Sequence, residues 1–171
     1  MTLSCPEITA SSASALQVRA LIEQFGLEPH PEGGSFREIY RASDRVQTAR
    51  SVRSAITAVH YLLERTQASR WHIVQSDDIW HFYQGSPLEL LGYDSEKRRS
   101  CATCLEIPRT IISASVIPNG VWQAARSLGD FSLVGCSVGP GFEFEDFSFV
   151  ANFPQHRMHF EGELAAFASL L

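Results

Sequence analysis

From position 35 to position 149 the chain is a succession of short β-branched and aromatic runs. Gly, Pro and polar turn residues interrupt them roughly every eight to twelve positions. That punctuation argues for an antiparallel sandwich or barrel rather than a parallel sheet. The expected strands are residues 35–41, 54–63, 71–74, 79–84, 88–93, 110–117, 122–125, 131–138 and 143–149. Pro87, Pro108, Pro118 and Pro140 fall between elements, where a missing N–H does little harm. Ahead of the strands, Val18, Leu21, Ile22 and Phe25 recur at helical spacing, with Ser12 or Ser14 as cap and Gly26 as stop. A second short helix is expected at 163–171. Residues 1–11 read as a flexible tail and 12–171 as a single all-β domain with an N-terminal α-helix.

The 171 residues suffice for one good-sized core. A net charge of −5 and no basic face disfavour nucleic-acid binding. The apolar runs are too short to span a membrane, and no basic-then-apolar leader opens the chain, so a cytoplasmic protein is expected. Cys101 and Cys104 form a CxxC, but no second cysteine pair or His-x3-5-His accompanies it. Ordinary reduced thiols are expected.

Chemistry concentrates between Trp71 and Gly85, where His72, Asp77, Asp78 and His81 lie among aromatic and β-branched residues. Imidazole and carboxylate bind metals and move protons near neutral pH. In a hairpin, His72 and Val74 share one face of the first arm, and Asp78, Trp80 and Phe82 share one face of the second. His81 points the other way unless a bulge resets the alternation. A His72–Asp78 pair would orient the ring and tune its basicity. Arg37 or Arg41 could hold an anionic group. The plainer reading of either arginine is a solvated strand face or an ion pair with Glu38 or Glu143. Most aromatics are core material, with Trp80 and Trp122 the best candidates for pocket walls.

The spacing His72…Asp78…Gly85, followed by Pro118-Asn-Gly120, resembles the two signature motifs of the cupin superfamily. These run G-x5-H-x-H-x3-4-E-x6-G and G-x5-P-x-G-x2-H-x3-N. The chain more closely resembles the small single-barrel cupin-5 group, of largely unassigned function. The matching pieces are His30-Pro-Glu-Gly-Gly-Ser-Phe-Arg-Glu38, Ser76-Asp-Asp-Ile-Trp-His-Phe82, Gly120-Val-Trp-Gln-Ala-Ala125 and Pro140-Gly-Phe-Glu-Phe-Glu-Asp-Phe147. The resemblance implies a cupin double-stranded β-helix, a jelly-roll barrel, in a homodimer. Carried over residue by residue, the cupin metal ligands fall on His72, Val74, Asp78 and Gln123. Val74 cannot bind a metal and Gln123 is a poor ligand; His81 completes a set only if it turns inward.

Phe36-Arg-Glu38 is similar to the F-x-E of the dTDP-4-dehydrorhamnose 3,5-epimerases, cupins that use a His base without a metal. Three functions stay open. The first is an isomerase or epimerase of a sugar or nucleotide-sugar with no cofactor. In it His72 is the base, Asp78 its orienter, Gln123 a substrate contact, and Arg37 with Glu38 an anchor beside Phe36, Trp80 and Trp122. The second is a dioxygenase or decarboxylase holding a divalent metal (zinc, iron, manganese or nickel) on His72, Asp78 and Gln123, with His81 as a further candidate. The third is a module that binds a small polar or cyclic molecule, nucleobase-like or sugar-like, without turnover.

Overall fold

The computed structural model describes residues 12–106, 113–154 and 169–171. Helix α1 (Ser12–Phe25) leads into β1 (Glu28–Pro29), β2 (Ser35–Arg41), β3 (Arg45–Gln47), β4 (Val52–Ser54) and β5 (Thr57–Glu64). Next come β6 (Ala68–Val74), β7 (Asp77–Gly85), β8 (Leu88–Asp94) and β9 (Arg99–Leu105). The series ends with β10 (Ala114–Ile117), β11 (Trp122–Ser127), β12 (Phe131–Gly139) and β13 (Phe147–Phe149). Two antiparallel sheets result, ordered β1-β2-β5-β12-β7-β10 and β13-β6-β11-β8-β9, with β3 and β4 as a separate hairpin. This is the antiparallel sandwich of a cupin barrel, with its N-terminal helix.

Strand alternation sorts the apolar residues into three layers. Tyr61, Leu63, Trp80, Phe82, Leu88, Leu90 and Val134 meet between the sheets. On the outer face of the six-stranded sheet, Leu62 and Leu133 receive Val18 and Leu21 of α1. Leu91, Tyr93, Trp71 and Trp122 form a third layer behind the five-stranded sheet, closed by Val150 and Leu170. β5 and β8 are therefore buried on both faces, which is why they read as continuous apolar runs rather than alternating ones.

α1 ends as its sequence predicts. Gly26 lies at φ +60°, the Leu27 N–H reaches the Ile22 carbonyl at 3.0 Å, and the Gly26 N–H reaches Glu23 at 3.4 Å. That is a Schellman stop. Ser14 lies within the helix rather than at its N-cap position, and its hydroxyl donates to Asp130.

Other expectations need amendment. Residues 143–149 are not one strand: a 3-10 turn, Phe144–Asp146, precedes β13. β9 and the β3–β4 hairpin were not expected: β9 is mostly exposed and shows no apolar alternation, and the strands of the hairpin are only three residues long. Residues 1–11, the start of the 110–117 strand and most of the 163–171 helix lie outside the described residues. Cys101 and Cys104 are free and exposed on β9. Three positions apart on a strand, they project from opposite faces. No described helix is long and apolar enough to cross a membrane.

Candidate functional site

Between the sheets lies a cavity of about 120 Å³. An engineered cavity of about 150 Å³ holds benzene, so the space suits a single ring. Its polar floor comes from three places in the chain: Glu32 in the loop before β2, His72 on β6 and Asp78 on β7. His72 and Asp78 face inward together, as the hairpin alternation requires.

Glu32 is set by a tight loop. The His30 N–H bonds the Gly34 carbonyl, and the Gly33 N–H bonds the His30 carbonyl, both at 3.0 Å. Gly33 sits at φ +114°, and a Cβ there would lie 2.1 Å from the Ala68 carbonyl oxygen. Only glycine lets the loop lie this close to β6. The Arg70 N–H then bonds the Glu32 carbonyl at 3.0 Å, the Tyr61 hydroxyl donates to the Gly33 carbonyl at 2.6 Å, and Ser69 donates to Glu32 Oε1 at 3.1 Å.

The ring orientations follow from these partners. His72 Nδ1 is 2.7 Å from the Arg70 carbonyl, an acceptor, so Nδ1 carries the hydrogen. Its Nε2 faces Glu32 Oε2 at 3.3 Å. Two bare lone pairs would repel there, so the pair holds a shared proton. Burial pushes His72 down to about 4, against the opposing pull of the Arg70 carbonyl and the Asp78 charge. Burial raises the Glu32 carboxyl, and so the proton resides chiefly on Glu32. His30 has the opposite tautomer: its Nδ1 accepts from the Glu32 N–H at 3.3 Å, leaving hydrogen on Nε2. Burial lowers its basicity, which keeps it neutral.

Asp78 completes the floor. Its Oδ2 accepts from Gln123 Nε2 at 3.0 Å, and Gln123 Oε1 accepts from Trp80 Nε1 at 2.9 Å. Asp78 Oδ1 is buried with no hydrogen-bond partner among the described residues. Burial raises this carboxyl to about 6, so it is ionised at neutral pH.

The walls are aromatic, with Phe36, Trp80, Phe142, Phe144 and Phe147 beside Val74 and Cys136. Arg41, Glu38 and Glu143 line the same space. Regular alternation from Phe36 and Glu38 would bring Tyr40 inward, not Arg41. A bulge between Glu38 and Tyr40 inserts Ile39 as an extra residue, and Arg41 takes the inward place opposite Thr57. Arg41 grips both Glu38 oxygens, at 3.0 and 2.8 Å, and also Glu143 at 2.7 Å and the Phe142 carbonyl at 3.1 Å. Four of its five N–H groups are thereby engaged. The ion pairs with Glu38 and Glu143 are the plainer reading of Arg41, and the structure bears it out.

Four sequence candidates stand apart from the cavity. Arg37 projects from the opposite face of β2, exposed and paired with Glu28 at 3.4 Å, so it anchors nothing inside. Trp122 belongs to the layer behind the five-stranded sheet because it alternates with Gln123. Gln123 is buried behind Asp78, both ends of its amide engaged, and positions that carboxylate rather than touching a ligand. His81 faces outward beside Gly135, since β7 has no bulge before it. Conversely, His30 and Glu32 were not singled out as site residues, although their motif was visible.

The metal set implied by the cupin motifs does not fit these residues. Val74 offers no donor, the Gln123 oxygen is bonded to the Trp80 indole, His81 faces away, and His72 Nε2 is directed at Glu32. Among the described residues, no group of three His, Cys, Asp or Glu side chains is placed to hold a metal ion.

Comparison with known proteins agrees with the fold. A protein from Shewanella oneidensis is 27% identical, with a TM-score of 0.73 over 89% of this chain and 94% of its own. A hypothetical protein from Leishmania major is 26% identical, with a TM-score of 0.72 over 88% of this chain and 97% of its own. Oxalate decarboxylase from Lactobacillus farciminis, 14% identical with a TM-score of 0.55, covers 85% of this chain and 41% of its own; it shares the fold alone. A search of curated proteins finds no match. The family model described as Cupin superfamily (DUF985) matches residues 19–150, and the chain, with its sandwich of two antiparallel sheets around a polar-floored cavity, belongs to that cupin-5 family.

Proposed function

We propose that this protein binds a small cyclic molecule in the cavity and catalyses proton transfer on it, as an isomerase or epimerase that uses no metal. The observation that carries the proposal is the buried Glu32–His72 pair, 3.3 Å apart, with His72 held by the Arg70 carbonyl. Once the proton it shares has been released, ionised Glu32 beside neutral His72 takes in its place a proton from a carbon beside a carbonyl. The C–H electron pair moves onto the carbonyl oxygen, and the proton returns to the same or a neighbouring carbon. No oxidant or reductant is consumed. His30 is suited to stabilise the oxygen, because a neutral imidazole with hydrogen on Nε2 donates without surrendering its proton. Two histidines held neutral in opposite tautomers divide the labour between proton carrier and hydrogen-bond donor.

The test begins with the small molecule that co-purifies, identified by mass spectrometry after denaturation. Incubated with protein in D2O, that compound is expected to gain deuterium at the carbon beside its carbonyl, read by NMR. His72→Ala should slow exchange at least about 100-fold while changing affinity far less. Unchanged exchange in His72→Ala, or no exchange with wild type, overturns the catalytic reading.

A further inference from the structure

We propose that the cavity selects a ring bearing a protonated nitrogen, an organic ammonium or a protonated ring nitrogen, and rejects anions, with Asp78 Oδ1 receiving the N–H. The inference rests on the cavity being the ligand site argued above and names the class of molecule it takes. Three independent observations support it.

First, Asp78 is 5% exposed, lines the cavity, and keeps Oδ1 without a partner among the described residues. Its other oxygen is held by Gln123. A buried carboxylate oxygen in this state is stabilised by a donor, and most by a cationic one. Second, the charges around the space are unbalanced. Even with Glu32 protonated, Glu38, Asp78 and Glu143 line it against one guanidinium, and Arg41 is already committed to Glu38, Glu143 and the Phe142 carbonyl. An incoming phosphate or carboxylate would meet no free cation among the described lining residues and would face Asp78 directly. Third, the walls are aromatic, and an aromatic face attracts a cation through its ring quadrupole. Trp80 is fixed by its indole bond to Gln123, so its ring is pre-set. The anion-binding role open to Arg41 in the sequence is thereby reversed: the arginine offsets part of the acidic surface and leaves the remainder for the ligand.

One ring in three charge states provides the test. Benzylammonium, benzyl alcohol and benzoate are titrated at pH 8 and followed by protein NMR shifts of the cavity residues. Wild type should bind benzylammonium at least tenfold more tightly than benzoate, with benzyl alcohol between them. Asp78→Asn, which keeps an oxygen for Gln123, should remove most of that preference and leave benzyl alcohol within threefold. Arg41→Gln, which strips the countercharge from Glu38 and Glu143, should widen the preference for benzylammonium. It serves on its own if Asp78→Asn fails to fold. Equal or tighter benzoate binding, a preference unmoved by both substitutions, or no binding of any probe at millimolar concentration overturns the proposal. Binding alone is measured, so selectivity can fail while deuterium exchange stands, and exchange can fail while selectivity stands.

Discussion

Burying Asp78 raises its carboxyl from 3.8 to about 6, so the folded protein resists an ionisation that the unfolded chain completes at lower pH. Its favourable contribution is present below pH 3.8 and is lost as pH rises through about 6. His72 behaves oppositely: its contribution is present above pH 6.5 and is lost as pH falls through about 4. Asp78→Asn should therefore raise Tm above wild type at pH 8, by roughly 3 kcal/mol of stability, with the gain shrinking toward pH 4. Thermal unfolding followed by circular dichroism across pH 4–8 checks this; a variant no more stable than wild type at pH 8 contradicts it. Protein purified without added metal and mildly chelated should carry far less than one zinc, iron, manganese or nickel per chain by elemental analysis, whereas stoichiometric metal would refute the misfit at Val74 and Gln123. His72 and Asp78 were legible in the sequence because strand alternation fixes which way a side chain faces. His30 and Glu32 sit in a loop, where no period exists to orient them.

The loop before β2 and the bulge within it are the elements that build the site. Gly33 brings the loop against Ala68 and so places Glu32 under the cavity. Gly33→Ala should lower Tm by roughly 5 °C or more, since backbone lies only 2.1 Å from the new Cβ and φ is +114°. A variant with wild-type Tm and unchanged ligand binding would show that the close approach is not required. The bulge at Ile39 is what sequence periodicity could not reveal. A period of two carries Phe36 and Glu38 inward correctly, then misassigns the next position, and only the pairing with β5 shows the extra residue. The turn at Phe144–Asp146 was missed for a related reason. The phenylalanines in and around it suggest a strand, but buried Asp146 is gripped by Arg53 at 2.8 Å from the β3–β4 hairpin, a tertiary contact that overrides local preference.

At the scale of the whole molecule, the antiparallel sandwich followed from turn spacing and β-rich runs, and its family from four short motifs in order. The function did not follow, because it depends on which side chains share one cavity and which are already spent on each other. Three apolar layers leave a polar space between the sheets, enclosed by aromatic residues and lined by four carboxyl groups and one committed arginine. Its working centre is a neutral His72 facing Glu32. The most direct test is nitrogen-15 NMR of the His72 imidazole across pH 4–8, assigned by comparison with His72→Gln. Hydrogen is expected on Nδ1, with a neutral ring throughout the upper range and protonation only near pH 4. Hydrogen on Nε2 in the neutral ring, or titration at or above the ordinary histidine range, would contradict that expectation.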